Sequence, residues 1–428
     1  MDREFSETDI LSNAIFEPPL NSISYESSGW RRRCVVAIPV RDEEQRLPAC
    51  LSALAGQRDR RGRPVAPDSF GIVVFANNCR DRSADLARSL GGQFSLPLRV
   101  VEASLPPAKA HAGSARRRAM DVAEAWLGEE RVRDSVILTT DADSRVSADW
   151  IATNLAAIDA GADAVLGDIA LDEEGDLLPP ALHRRGELES AYEALLTELS
   201  ALLDPLDHNP WPHHATISAA SIAITRDAYL AVGGLPRVPL GEDKALVAEL
   251  VRLDRKIRFC PEIRVITSGR VEGRAPGGVA DTLRLRSNDP DAFCDEFLEP
   301  FRVAIKRAKW RGRLRWLRRA GRLVGNGAWA RELGIPAPDA RRICRAPSFG
   351  AAWSAVEHKS PLFHRRLLKP AELPDQISGA RRALARLRKG ALAMHEHVES
   401  EVVMPFRSMH SHSLTHCGDE QVCGLFAG

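Results

Sequence analysis

Two carboxylates, one residue apart, end an apolar run near the first third of the chain. The run covers residues 136–140, and Asp141 and Asp143 follow it. A buried strand that ends in this way places both acids at the carboxyl edge of a sheet, where open α/β folds bind ligands. Carboxylate oxygens suit a divalent cation that joins protein to phosphate. Ordinary turns and helix caps also use such acids, so the pair alone leaves both interpretations open.

Three further loops carry polar residues where a strand ends or a helix begins. Residues 39–44 are acidic, which would also suit the first turn of a helix. Residues 77–81 contain two asparagines, whose amides can both donate to and accept from a nucleobase edge. Residues 109–118 place cations in the first turns of a helix, where they oppose the helix dipole, so a bound anion explains them better than helix stability.

A second acidic pair, Glu242 and Asp243, follows a glycine-rich turn over residues 233–241. Acids stabilise the first turn of a helix, so capping is one interpretation. The other is a general base that takes a proton from an attacking hydroxyl. The small residues 218–221 would leave room for a ligand beside this pair, and tight packing would explain them equally well.

The elements that must position these residues alternate between strand and helix. Short apolar runs predict strands over residues 34–40, 71–76, 98–103, 136–140, 164–169, 217–225 and 257–268. Helical periodicity occurs near residues 47–56, 81–90, 112–127, 149–160, 182–203 and 242–253. This alternation predicts βαβ units around a mostly parallel sheet, in an α/β domain that ends near residue 285.

Together these motifs resemble glycosyltransferase family 2, whose members have the GT-A fold and use a nucleotide-diphospho-sugar. The resemblance covers roughly residues 33–280 and rests on residues 39–44, 77–81, 113–116, 141–143, 233–234 and 242–243, in the family's order. It implies a Rossmann-like GT-A domain over residues 30–285 with a mostly parallel sheet. Residues 1–29 would form a tail or arm, and residues 286–428 a mostly helical, basic C-terminal extension with a flexible His-rich tail.

The resemblance also implies which residues bind the donor. The set combines strand-end residues with one cation from a later loop: Pro39, Arg41, Glu43, Asn78, Arg116, Asp141 and Arg270. Asn78 would lie against the base, and Arg116 would approach the base or the diphosphate. Arg270, with Arg274, stands where many relatives carry a further metal ligand, and would pair with the diphosphate instead.

The implied chemistry is metal-assisted sugar transfer. Asp143 would hold Mg²⁺ or Mn²⁺ on the two phosphates, and Asp141 would contact the ribose or the metal shell. Asp243, with Glu242 beside it, would be the general base in an inverting reaction, although the resemblance does not exclude retention.

The acceptor site is the least specified part of the resemblance. Trp211, His213 and His214 lie where related enzymes often build it. A Trp face can stack on a sugar ring, and it can equally cover the core.

A basic segment over residues 302–324 carries apolar residues at helical spacing: Val303, Trp310, Leu314, Leu317 and Val324. One interpretation packs this stripe on the catalytic domain and leaves the arginines in solvent. The other lays the helix on anionic lipid at the inner membrane face. Nucleic acid is not predicted, since no nucleic-acid-binding module is recognisable. Histidines and cysteines over residues 395–423 match no standard zinc-finger spacing, which favours a frayed tail.

Composition sets the broad class. The chain has 428 residues, 44% of them hydrophobic and 27% charged, with a net charge of +1, which predicts a globular protein and does not indicate any particular partner. Eight scattered cysteines favour a reducing compartment. No signal pattern and no apolar run long enough to span a membrane are recognisable, so we expect a cytoplasmic protein.

The sequence therefore predicts a hexosyltransferase-like enzyme with a UDP- or GDP-linked sugar donor and an unspecified acceptor hydroxyl. A sugar nucleotidyltransferase is one alternative, although such enzymes usually carry a glycine-rich basic loop where residues 40–44 are acidic. A noncatalytic protein that binds nucleotide sugars is the other.

Overall fold

The computed structural model describes residues 33–131, 134–172, 179–270, 278–325 and 327–402. Residue contacts divide the chain into two units, Met1–Arg382 and Ala383–Gly428. The sheet and the site discussed below belong to the first unit, and the described backbone of the second is helical. The predicted N-terminal tail, Arg274 and the tail beyond residue 402 lie outside the described residues.

One sheet organises the first unit, with the strand order β3-β2-β1-β4-β7-β6-β8-β5. The strands are β1 (Cys34–Val40), β2 (Phe70–Asn77), β3 (Leu98–Ala103), β4 (Val136–Thr139), β5 (Ser144–Val146), β6 (Ala164–Leu171), β7 (Ile222–Thr225) and β8 (Ile257–Thr267). Strand pairs β1–β2, β2–β3, β1–β4 and β6–β8 are parallel. β7 runs antiparallel to β4 and β6, and β5 runs antiparallel to β8.

The helices follow the predicted alternation and then continue without strands. They are α1 (Leu47–Ala55), α2 (Ser83–Gln93), α3 (Ala112–Glu130), α4 (Trp150–Asp159), α5 (Pro180–Leu203), α6 (Arg226–Ala231), α7 (Glu242–Arg252), α8 (Val279–Asn288), α9 (Phe301–Arg319), α10 (Ala328–Glu332), α11 (Ala337–Cys344), α12 (Phe349–Lys359) and α13 (Leu373–Val402).

Both faces of the sheet are covered, because its central strands are apolar on both sides. In β1, Val36 and Ile38 point to one core, which includes residues of α1, α2 and α4. Val35 and Ala37 point to the other core, which includes residues of α3, α6 and α7. Parallel strands buried on both faces read as continuous apolar runs, which is why the sequence predicts them well.

The helices after α8 build a third core. It includes Leu314 of α9 together with side chains of α10, α11 and α12. α12 packs directly on the end of α7: a Cβ on Gly350 would lie 1.7 Å from the carbonyl oxygen of Val251, and Asp254 accepts hydrogen bonds from the backbone N–H groups of Phe349 and Gly350. The expected fold class, α/β with a mostly parallel sheet and C-terminal helices, is confirmed.

Two local expectations were wrong. The strand predicted over residues 217–225 is limited to Ile222–Thr225, and the residues before it form a loop beside the site. Val324 is 50% exposed, because α9 ends at Arg319 and the predicted apolar stripe does not extend so far. Within the described residues, we find no helix with the length and apolar content needed to cross a membrane.

Candidate active site

A large cavity opens at the carboxyl edge of the sheet. Its volume is about 2260 Å³, and most of the predicted site residues line it: Pro39, Arg41, Glu43, Arg116, Asp141, Asp143, His213, His214, Glu242, Asp243 and Arg270. Asn78 and Trp211 are described and are not among the lining residues. Side chains as far apart in sequence as Pro39 and Arg270 therefore line one cavity, because the strand ends and helix starts that carry them lie at one edge of the sheet.

Two carboxylates and one guanidinium form the centre of this edge. Arg270 Nη2 lies 2.6 Å from Glu43 Oε1 and 3.1 Å from Asp143 Oδ2. Burial and the neighbouring Asp141 carboxylate together raise the pKa of Asp143 to about 6, against the lowering effect of Arg270. Arg270 thus neutralises part of a carboxylate cluster that is costly to keep ionised.

Arg116 forms ion pairs with both acidic motifs, through Asp141 of the first and Glu242 of the second. Its guanidinium is buried, with Nη2 2.6 Å from Asp141 Oδ1, Nε 3.2 Å from Glu242 Oε1 and Nη1 3.1 Å from Thr139 Oγ1. A buried arginine with these partners fixes the positions of both acids. Its predicted contact with the base or diphosphate stays a prediction, and in this conformation its hydrogen bonds go to the protein.

The asparagine loop after β2 orients two neighbouring side chains differently. Asn78, in a left-handed backbone conformation (φ 53°), donates from Nδ2 to the carbonyl oxygen of Leu105 and accepts from its N–H. Asn77 lines the cavity, is 1% exposed, and its Oδ1 has no hydrogen-bond partner among the described residues. The predicted contact between Asn78 and the base stays a prediction, and of these two asparagines Asn77 is the one that lines the cavity.

Asp243 lies in the first turn of α7 and lines the cavity. Its Oδ2 accepts a hydrogen bond of 3.2 Å from the N–H of Ala219, and its Oδ1 accepts one of 2.7 Å from the N–H of Lys244. Burial raises the pKa of Asp243 above its ordinary value. A carboxylate with a raised pKa that lines a cavity suits a general base.

Lys244 is a site-lining residue that the sequence reasoning missed. Its Nζ lies 3.2 Å from Glu296 Oε1 and 4.7 Å from the centre of the Phe297 ring. These partners come from the segment after α8, which has no recognisable motif, so only the position directly after Asp243 could have suggested it.

The predicted acceptor residues form a small aromatic group. The rings of His214 and Phe259 meet edge to face at 5.6 Å, and the rings of Trp211 and His213 do so at 5.7 Å. Burial lowers the pKa of His213 and of His214, so both imidazoles are neutral at pH 7. Trp211 is 44% exposed and lies outside the cavity lining.

The residues present fit a divalent cation. Asp141 and Asp143 both line the cavity and supply the hard oxygen ligands that Mg²⁺ and Mn²⁺ prefer. A second group of potential ligands, Asp42, Cys79 and Asp81, also lies close together. Its carboxylates already accept backbone hydrogen bonds that join the loops after β1 and β2, which favours a structural role.

Comparison with known proteins agrees with this geometry. Residues 35–230 match the family model described as glycosyl transferase family 2. A search of curated proteins gives no match.

Solved structures show a weaker similarity. Residues 1–349 of TarS from S. aureus, in complex with UDP-GlcNAc, are 14% identical with a TM-score of 0.41, over 76% of this chain and 90% of that one. The mannosyltransferase PcManGT from Pyrobaculum calidifontis, in complex with GDP-Man and Mn²⁺, is 16% identical with a TM-score of 0.38, over 85% and 81% of the two chains. At these TM-scores nothing about donor or acceptor follows. The family match is the stronger finding: the chain contains a glycosyltransferase family 2 domain over residues 35–230 and is a glycosyltransferase.

Proposed function

We propose that the protein transfers a sugar from a UDP- or GDP-linked donor to an acceptor hydroxyl, with Mg²⁺ or Mn²⁺ at Asp143 and Asp141. The observation that carries the proposal is the buried Arg116, which joins Asp141 to Glu242 and so holds the two acidic motifs at one cavity. A donor diphosphate at the first motif would place its sugar toward the second.

The nucleotide would lie at the ends of β1 and β2. Asn77 lines the cavity there, and its buried amide oxygen, which has no hydrogen-bond partner among the described residues, would accept a hydrogen bond from a base N–H. Arg41 lines the same part of the cavity, and its Nη1 donates to the carbonyl oxygen of Ala110, which ties this loop to the approach to α3.

The diphosphate would lie between Asp143 and Arg270. A bound divalent cation acts there as a Lewis acid for the charge that develops on the leaving diphosphate. Arg270 would turn from its carboxylate partners toward the phosphate oxygens, which a guanidinium fork matches.

Asp243 would take the proton from the acceptor hydroxyl. Its two backbone hydrogen bonds fix the carboxylate, and its raised pKa increases its basicity. Attack from the side opposite the diphosphate inverts the anomeric configuration, and His213 and His214 would border the acceptor. Contact of residues 302–324 with an anionic membrane also stays a prediction; Trp316 of this segment is 55% exposed.

The direct test is a panel of UDP- and GDP-sugars with Mn²⁺, in which release of nucleoside diphosphate and the anomeric form of the product are measured. We expect one donor to be consumed with inversion by the wild type and not by Asp143→Asn. The control is Asp159→Asn, which removes a 56% exposed carboxylate that pairs with Arg33. Consumption of nucleoside triphosphate and sugar phosphate instead would support the nucleotidyltransferase alternative and overturn the proposal.

A further inference from the structure

The cavity extends well beyond the residues that a nucleotide sugar would need. One face of α5 lines it from Leu182 to Asp204, with Glu189, Glu193, Leu196 and Ser200 between them at helical spacing. At 1.5 Å per residue, this lined length of helix is about 33 Å. Binding sites for small ligands usually occupy about 300–1,000 Å³, whereas this cavity has about 2260 Å³. There is room for a second ligand that runs along α5.

The far end of the cavity contains two arginines that share one carboxylate. Arg315 Nε lies 2.8 Å from Asp204 Oδ1, and Arg311 Nε donates to Asp204 Oδ2. Asp204 is 3% exposed, and the two arginines lower its pKa against the effect of burial. One carboxylate cannot neutralise two guanidinium groups, so this cluster keeps a net positive charge.

In both arginines, the Nε and Nη2 atoms of the guanidinium donate hydrogen bonds within the protein. The Arg315 guanidinium lies 4.2 Å from the centre of the Phe349 ring, and Arg311 Nη2 donates to Ser200 Oγ. Within the described residues, the Nη1 atom of each has no hydrogen-bond partner. A guanidinium fixed by a carboxylate and an aromatic ring offers its remaining N–H groups to a ligand at little entropic cost.

Further cations line the same end. They are Arg318, which donates to the carbonyl oxygen of Ala346, and the exposed Arg319 and Lys256; none of the three has a carboxylate partner among the described residues.

The neighbouring charges do not cancel this excess. Arg255 pairs with Asp163 and Asp227, while Asp254 accepts the N–H groups at the start of α12. His208 also lines this end, and its pKa responds to the positive charge. Burial lowers the pKa of His208, and Arg315 and Lys256 lower it further, although the Asp207 carboxylate acts in the opposite direction.

The part of the cavity beside Asp243 has a more balanced charge. Glu193 and Asp295 line it with Lys244, and Glu189 lines it while paired with Arg185 and Arg286. Burial and the Asp295 carboxylate raise the pKa of Glu193 to about 7. An anionic group would meet uncompensated positive charge at the basic end and not beside Asp243, so the charge difference along the cavity would orient a ligand with one anionic end.

We propose that the basic end, formed by Arg311, Arg315, Arg318, Arg319 and Lys256, binds a phosphate group of the acceptor. The acceptor hydroxyl would then lie at Asp243. The rise of α5 from Glu193, beside Lys244, to Asp204 puts the hydroxyl and the phosphate about 16 Å apart. This inference rests on the proposed function, since it assigns the second ligand of the same cavity as the acceptor.

Calorimetric titration with inorganic phosphate in buffer with EDTA tests the site without turnover. The double variant Lys256→Gln/Arg319→Gln removes two exposed cations that line the cavity. Its matched control, Lys306→Gln/Lys309→Gln, removes two exposed cations of α9 that do not line it. We expect the phosphate Kd to rise at least fivefold in the first variant and less than twofold in the control. Equal changes in both, or none in either, would overturn the proposal.

Two further arms identify what the phosphate site serves. Phosphate should still bind when the donor site is saturated with nucleoside diphosphate and Mn²⁺, and displacement by the nucleotide would show that phosphate had only occupied the donor site. Acetate should bind at least fivefold more weakly, and equal affinity would point to a carboxylate-bearing ligand and contradict the assignment to phosphate. Absence of nucleotide-sugar consumption with an intact phosphate site would refute the proposed function alone.

Discussion

Replacement of Arg116 by Gln separates a structural role for this residue from a role in donor binding. The side chain is 5% exposed and pairs with Glu242, which is 10% exposed, and with Asp141, which is 32% exposed. Removal of one partner from a buried ion pair costs about 3–5 kcal/mol, because the other charge stays buried without compensation. Glu242 meets this condition fully and Asp141 only in part. We therefore expect Arg116→Gln to lower the free energy of unfolding by about 4 kcal/mol at pH 7.

Urea unfolding at pH 7 and pH 5 measures the effect, with Arg88→Gln as control. Arg88 is 48% exposed and pairs with exposed carboxylates, so its loss should cost less than about 1 kcal/mol. In Arg116→Gln, Glu242 loses its cation while it stays buried, and a buried carboxylate without a partner is costly while it is ionised. A buried carboxylate without a cation destabilises the folded state mainly at higher pH, where it is ionised. The decrease in the free energy of unfolding should therefore be smaller at pH 5 than at pH 7. A variant within 1 kcal/mol of the wild type that binds nucleoside diphosphate more weakly would refute the structural role and support the predicted donor contact.

Three further outcomes follow from the same contacts. Arg270→Gln should bind Mn²⁺ alone about fivefold more tightly by calorimetry, because a competing cation leaves Asp143, and unchanged affinity would contradict this. The raised pKa of Asp243 predicts that kcat falls as pH decreases through a value above that of an ordinary aspartate, and a pH-independent kcat down to pH 4 would exclude it as base. Gly350→Ala should cost about 3 kcal/mol in urea unfolding, since its Cβ would meet the α7 backbone, whereas Gly186→Ala, which meets nothing within 4 Å, should be neutral or stabilising; equal effects would contradict the packing.

The fold was predictable because its central strands are apolar on both faces and end in polar motifs. Glu43, Asp141, Asp143 and Asp243 are found at one cavity because each follows directly from a strand end or a helix start whose place in the sheet is set by the alternation.

Side-chain direction was harder to predict. Asn77 and Asn78 are adjacent, yet Asn77 lines the cavity while Asn78, in a left-handed backbone conformation, bonds to the backbone of Leu105, a difference that no sequence pattern expresses. Arg116 belongs to a cationic run, and the sequence does not reveal that its guanidinium turns inward, between two acids.

The long cavity was not predictable at all. Residues of α5, α9 and α12 line it together with the residues at the sheet edge. The sequence of each helix shows helical periodicity but does not show which other elements the helix packs against. The apolar spacing predicted that Leu314 packs inward, and it does. That Arg311 and Arg315 both turn to Asp204 depends on where α5 ends, over 100 residues earlier.

The most direct test of the central claim compares donor binding and turnover in Asp243→Asn. The control is Glu249→Gln, a 39% exposed carboxylate on the same helix. With the donor identified by the panel, we predict a kcat at least about 100-fold below that of the wild type, since general base catalysis typically contributes 10²–10⁴-fold. The donor Kd should stay within threefold, and Glu249→Gln should keep both values. A variant Asp243→Asn with wild-type kcat would contradict the claim that this cavity carries out the transfer through Asp243.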